Sequence, residues 1–302
     1  MKVKVLSWNV EHFTGKKTGA KKDRLKRVID VIKQEDPDVF GLIEVESDDV
    51  EDAFKDAFPN HSQFVTRGDN SQQILTSVRP GLGNLTIQKD QFKKNNPYLR
   101  PAAWLNLHDG TGKDDLYFLF SHFKSSSTPE GFGLRDAMFD HVKKLKKKYD
   151  EKHETEGGCK MVLLGDLNFM GMNLTYSDKD FVNYEEIERF DKILGRQGLD
   201  RKTMTLPQVI PSKYEDHYTD EAAELNIPYV PRPMTYNGGS GSSYVPALLD
   251  AVYATDNLTF TPTGGEDVRV GGWAEEASEA AQDDWIERFS DHAPLIFEVS
   301  TT

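Results

Sequence analysis

The chain has 302 residues, 37% hydrophobic and 29% charged, a composition that excludes a disordered or membrane-embedded protein. Fifty acidic residues against 37 basic ones leave a net charge of −13, which excludes holding nucleic acid by bulk positive charge. It leaves phosphoester chemistry open, because a cation in a carboxylate cluster supplies local positive charge that the surface as a whole lacks. A single cysteine, Cys159, excludes an intrachain disulfide and suits a reducing compartment.

Met1 leads directly into the first apolar run, with no long apolar segment and no small-residue cleavage site. A cytoplasmic location is therefore favoured, with secretion left open if a leader was removed. No apolar stretch reaches the roughly 20 residues a membrane span needs. Short runs at 3–8, 39–45, 102–107, 116–121, 161–164, 248–253 and 293–299 are expected to be buried strands, from their length and their β-branched or aromatic content.

Between them, Leu25, Val28, Ile29 and Ile32 share one face of a helix that stops before Pro37. Residues 52–58 and 187–194 read as further helices. Leu134, Met138, Val142, Leu145 and Tyr149 mark another, whose lysine run at 143–148 is expected to face solvent. Residues 205–243 are rich in Pro and end in "NGGSGSS", as a long surface loop would. With no repeat, low-complexity block or Pro/Ser linker, one domain over residues 1–302 is expected. Imperfect alternation of strands and helices points to an α/β fold with mixed strand directions.

The residues that follow the strands carry the chemistry. The first run leads into Asn9 and Glu11, the second into Glu44. The run at 116–121 leads into His122 and Lys124, and "LLGDLN" places Asp166 and Asn168 just behind an apolar stretch. Asp250 sits inside "LLDAVY", and Asp291 and His292 precede "APLIFEV". Carboxylates and an amide oxygen from separate strands can hold a hard divalent cation that keeps waters for substrate and nucleophile. Histidines can donate to a phosphoryl group or carry protons near neutral pH. A buried aspartate such as Asp250 needs a partner, and an imidazole is an obvious one. Together these are the parts of metal-assisted phosphoester hydrolysis.

In this order, "SWNVE", "GLIEVE", "SHFKS", "GDLN", "LLDAVY" and "SDHAPL" resemble the motifs of the endonuclease/exonuclease/phosphatase superfamily, over essentially the whole chain. The resemblance implies a four-layer α/β/β/α sandwich, two mixed β-sheets face to face with helices outside and one cleft where strand ends meet. It implies that Asn9, Glu11, Glu44 and Asp291 bind or orient Mg²⁺, with Mn²⁺ or Ca²⁺ as substitutes. It implies that Asp166 and Asn168 position the attacking water and the phosphate, that His122 contacts the phosphate or serves as an acid, that Asp250 orients a histidine, and that His292 is the histidine of the closing pair with Asp291. Arg100 resembles a family arginine that touches the scissile phosphate and Thr235 a family threonine before the Asp250 strand, and Lys124 could reach a phosphate, although a surface Arg before Pro, a solvated Lys and a Thr without a substrate role read about as well from the residues alone.

Two departures leave the substrate open. Ala251 follows Asp250 where the DNase I-type and 5-phosphatase subgroups carry arginine, and Leu248 stands where the exonuclease III-type subgroup does. A nuclease acting on DNA or RNA, a phosphatase or phosphodiesterase for a lipid headgroup or small molecule, and a non-catalytic binding protein on the same fold are the three expectations. No protein partner is implied. His12, His61, His108, His141, His153 and His217 have no motif context and read as surface or packing residues.

Overall fold

The structure, a computed structural model, describes all residues except 16–22, 69–71, 94–99, 109, 111–114, 155–156, 175–182, 215–230 and 302. One sheet runs β11 (Thr259–Thr261), β13 (Leu295–Ser300), β1 (Lys2–Phe13), β2 (Val39–Val45), β4 (Gln73–Val78) and β3 (Ser62–Val65), with β12 (Arg269–Val270) beside β13. The other runs β5 (Gly83–Lys89), β6 (Ala102–His108), β7 (Leu116–His122), β8 (Lys160–Asp166), β10 (Asp250–Thr255) and β9 (Leu199–Arg201). Near the middle of each sheet lies one parallel pair, β1 with β2 and β7 with β8, among antiparallel neighbours.

Alternation along the central strands assigns the faces. In β1, Val3 and Val5 turn inward to the other sheet, while Leu6, Trp8 and Val10 turn outward. In β2, Phe40 and Leu42 face outward and Ile43 inward. The outward residues are covered by α1 (Arg24–Glu35), through Val28, Ile29 and Ile32, and by α2 (Asp48–Ala57), through Val50 and Phe54. Trp285 of α5 (Glu279–Arg288) adds a ring 5.6 Å from that of Trp8.

On the second sheet, the outer face is covered by α3 (Pro129–Lys152) and α4 (Asn183–Gly195). Tyr117 packs against Tyr149 of α3, and Phe139 of α3 stacks on Phe190 of α4. Between the sheets the approach is close enough that a Cβ at Gly41 would lie 2.3 Å from the Phe120 ring, so only glycine fits there. The result is the expected four-layer α/β/β/α sandwich.

Several bounds differ from the sequence expectations. Strand β10 begins at Asp250 and β13 at Leu295, so 248–249 and 293–294 are approach segments. Helix α2 starts at Asp48 because the Ser47 hydroxyl caps it by accepting from the Val50 N–H. Strands β3, β4, β5, β9, β11 and β12 and helix α5 had no expected counterpart. The described part of 205–243 holds a 3₁₀ turn at Ser212–Tyr214 and single-residue bridges from Tyr236 to Ala247 and His292, and the remainder of that expected loop, with His217, lies outside the described residues.

Candidate active site

The site begins as a row of register partners. His122 on β7 lies opposite Asp166 on β8, and Asp166 lies opposite Asp250 on β10. Register partners on neighbouring strands project to the same face. This is the face that carries Phe120, so all three side chains point toward the other sheet. Gly165 makes the arrangement possible: its φ is +122°, and a Cβ would meet the Ser121 carbonyl oxygen at 2.3 Å. Beyond the strand, Asn168 adopts φ 51°, its backbone N–H donates to Asp166 Oδ1 (3.0 Å) and its side-chain amide donates to the Phe123 carbonyl (3.1 Å).

The facing sheet supplies the opposite wall. Asn9 continues the inward series of Val3 and Val5, and its Nδ2 donates to Asp166 Oδ2 (2.9 Å) and to Glu44 Oε1 (3.2 Å). Strict alternation would turn Glu44 outward. A bulge in β2, with Glu44 at φ 65°, brings its carboxylate back to the site. A matching irregularity ends β1, where Glu11 and His12 have φ 40° and 44°, and the His12 N–H donates to Glu44 Oε2 (2.9 Å). Four of the seven non-glycine residues with positive φ among the described residues are thus Glu11, His12, Glu44 and Asn168, strain gathered at one place. His292 arrives on the approach to β13, its carbonyl held by the Trp8 indole N–H and its Nδ1 2.7 Å from Asp250 Oδ2.

These groups sit almost wholly out of water, which sets their charge. Burial pushes the Asp166 carboxyl up to about 7, opposed by His292 and reinforced by the Asp250 and Glu44 carboxylates. Burial also disfavours the His292 imidazolium, but Asp250 and Asp166 outweigh it and hold the pKa well above the ordinary histidine value. His122 goes the other way: burial, then the Arg100 charge, drives it well below that value. The Arg100 guanidinium donates to His122 Nε2, which fits a neutral ring, and among the described residues the buried His122 Nδ1 has no hydrogen-bond partner.

Ligand atoms of Glu44, His122 and Asp166 all lie within 4.8 Å of one another, as do those of Asp166, Asp250 and His292. His12, Glu44 and Glu46 form a third such group. Oxygen donors with an imidazole nitrogen suit a divalent cation, and a buried carboxylate whose ionisation is disfavoured is what such a cation relieves.

A sequence profile of the "Endonuclease/Exonuclease/phosphatase family" matches residues 6–292. The chain belongs to this family. As a member it is a phosphoester hydrolase. Among solved structures, TDP2 of D. rerio in complex with single-strand DNA product is similar with a TM-score of 0.61 at 16% identity, covering 99% of each chain. Truncated Caenorhabditis elegans TDP2 gives 0.59 at 17%, covering 99% of this chain and 97% of that one. The human Nocturnin catalytic domain with a bound sulfate anion gives 0.58 at 13%, covering 100% and 94%. At these identities the likeness is one of fold. No curated protein matches the chain significantly in sequence.

Within the family fold, Asn9, Glu44, His122, Asp166, Asn168, Asp250, His292 and Arg100 converge. Glu11 and Asp291 join none of the three compact ligand groups. Glu11 Oε2 is 3.9 Å from the Arg24 guanidinium, and the Asp291 carbonyl accepts from the Asn237 N–H. Lys124 stands half-buried, near enough to Arg100 that the two charges repel. Thr235 is fully buried, and its hydroxyl accepts from the Leu249 and Asp250 N–H groups, so it holds the start of β10 from behind.

His12, expected at the surface, is exposed there, and its Nδ1 lies 2.7 Å from Glu46 Oε1 at the edge of the cleft. Sequence reasoning missed Tyr236, whose ring meets His292 edge-on at 5.3 Å. His61 and His153 are packing residues as expected, against Phe58 and Tyr117. No helix among the described residues is long and apolar enough to cross a membrane.

Proposed function

We propose that this chain is a divalent-metal-dependent phosphodiesterase, specifically a nuclease that hydrolyses DNA or RNA phosphodiester bonds, with residues 1–302 working as one domain. The observation that carries the reading is the in-register row His122–Asp166–Asp250, closed by His292 and faced by Asn9 and Glu44 from the other sheet. Few arrangements put three carboxylates and two imidazoles of opposite protonation in one cleft. The DNA product bound to the D. rerio TDP2 structure supports a nucleic-acid substrate by analogy of fold.

Glu44, with Asn9 orienting its carboxylate and Glu11 and Asp291 as the further candidates, would hold Mg²⁺, or Mn²⁺ or Ca²⁺ in its place. When bound, the cation offsets phosphate charge and acts as a Lewis acid. Asp166 orients the attacking water and takes its proton, and Asn168 holds the Phe123 and Asp166 loops together while lining the phosphate site. His292, kept protonated by Asp250, donates to a phosphate oxygen as negative charge develops. Arg100 and the neutral His122 meet the same phosphate, with Lys124 at the rim, and Thr235 keeps Asp250 in place.

A second reading, a phosphatase or phosphodiesterase for a lipid headgroup or small molecule, is favoured by the net charge of −13. One experiment separates the two: plasmid, single-stranded DNA, RNA and bis-p-nitrophenyl phosphate incubated with Mg²⁺, Mn²⁺ or EDTA. Metal-dependent cleavage of a polynucleotide is the expected result. Turnover of the small diester with no polynucleotide cut supports the second reading, and no turnover of anything removes both.

A further inference from the structure

Arg135 lies on α3, outside the cleft, and is 0% exposed. All five of its N–H donors are directed at acceptors. Nε and Nη2 reach the two oxygens of Glu186 on α4 (2.7 and 3.0 Å), and Nη2 also reaches the Gly171 carbonyl (2.7 Å). Nη1 reaches the carbonyls of Lys124 (3.2 Å) and Ser126 (2.5 Å). Glu186, itself fully buried, accepts in addition from the Gly171 N–H (2.7 Å).

The three carbonyls belong to two particular loops. Lys124 and Ser126 follow His122 out of β7, and Gly171 follows Asp166 and Asn168 out of β8. One guanidinium therefore ties together the segments that aim the central groups of the site, at a point where Ser126 is held at φ 121°, a conformation disfavoured for a non-glycine residue. The same two loops are stitched nearer the cleft by Asn168 Nδ2 to the Phe123 carbonyl and by the Phe123 N–H to the Asp166 carbonyl. A buried ion pair contributes little net stability compared with apolar packing, so the geometry it imposes is its more telling consequence.

The geometry assigns Arg135, anchored by Glu186, as a positioning residue that holds the loop carrying Asn168 against the loop that follows His122, beyond the point where the β7–β8 ladder fixes the spacing of His122 and Asp166. It rests on the phosphodiesterase reading above. Lysine cannot replace it, since three donors on one nitrogen do not span carbonyls on two loops and a carboxylate. A misplacement on the order of 1 Å at reacting groups lowers turnover about a hundredfold, so the larger loss falls on kcat rather than KM.

The test uses the full chain with bis-p-nitrophenyl phosphate and Mn²⁺, below the melting temperature of every variant. Wild-type turnover comes first, and its absence would count against the functional reading rather than this one. Arg135→Lys, and the pair Arg135→Met with Glu186→Leu, which replaces the buried charges by apolar volume, should each lower kcat roughly 10- to 100-fold with KM within about threefold. Glu186→Gln leaves the guanidinium its three carbonyls without its charged anchor and should lower kcat about threefold to tenfold. A folded Arg135 variant with wild-type kcat, whatever its melting temperature, overturns the assignment. Should neither Arg135 variant fold, an unchanged kcat in Glu186→Gln overturns it equally.

Discussion

His292 Nδ1 and Asp250 Oδ2 lie 2.7 Å apart although the two residues come from different sheets. Asp250 opens β10 in one sheet, and His292 precedes β13 in the other, so the bond exists only once the sheets are stacked. The carboxylate stabilises the imidazolium, and a protonated His292 is a donor to phosphate. Activity should therefore fall as pH climbs through the raised pKa. Asp250→Asn removes a charge that raises the pKa, so the alkaline limb of the kcat profile should move to lower pH. If the alkaline limb stays in place, His292 is not the protonated donor.

Glu44 belongs to two of the three compact ligand groups. Glu44→Gln should lower turnover by roughly a hundredfold while the melting curve stays cooperative, because it removes a charged donor from a site that has few. EDTA should abolish wild-type activity. Full activity in EDTA would sink the metal-dependent mechanism.

Asp166→Asn keeps the shape of the side chain and removes the base, so kcat should fall far more than KM changes. A second readout is stability without metal. The Asp166 carboxyl titrates near 3.8 when unfolded and at about 7 when folded, so the folded state binds the extra proton between those values. Metal-free protein should lose stability as pH rises from about 4 to 7, and His292, also raised, should extend the loss above about 6.5. In Asp166→Asn the lower part of that slope should disappear from thermal melts recorded across the range.

Gly165→Ala should destabilise the fold by roughly 2 kcal/mol or more, since φ +122° is unfavourable for alanine and its methyl would collide with the Ser121 backbone. Urea melts measure this. A change below about 0.5 kcal/mol would mean the β7–β8 approach relaxes easily.

The lysine run on α3 is not one uniform solvated face. Lys146 is buried and paired with Asp150, and Lys143 pairs with Asp140, which leaves Lys144, Lys147 and Lys148 exposed. Replacing those three with Ser should leave polynucleotide cleavage and its salt dependence within about twofold, because they lie on the outer side of the helix layer. A flattened salt slope on DNA would place that face in contact with the nucleic acid.

The residues at the strand ends were legible in the sequence because apolar runs are a local pattern, and so is the polar residue that ends each one. Asn9, Glu44, His122, Asp166, Asn168, Asp250 and His292 all stood out this way, as did the amphipathic faces of α1 and α3. Edge strands escaped notice: β5 leaves Leu85 and Ile87 exposed, and β3 is only half-buried, so neither shows the contrast that marks a core strand. Helix α5 buries only Gln282 fully and has a mostly acidic surface. What only tertiary structure decided is which of these groups meet. The register that lines up His122, Asp166 and Asp250 depends on hydrogen bonds between strands far apart in sequence. The inward turn of Glu44 depends on a bulge that reverses the alternation a reader would extrapolate. The arrival of His12 at Glu44, and of Arg135 beneath two loops, depends on packing between elements whose local sequence carries no record of one another.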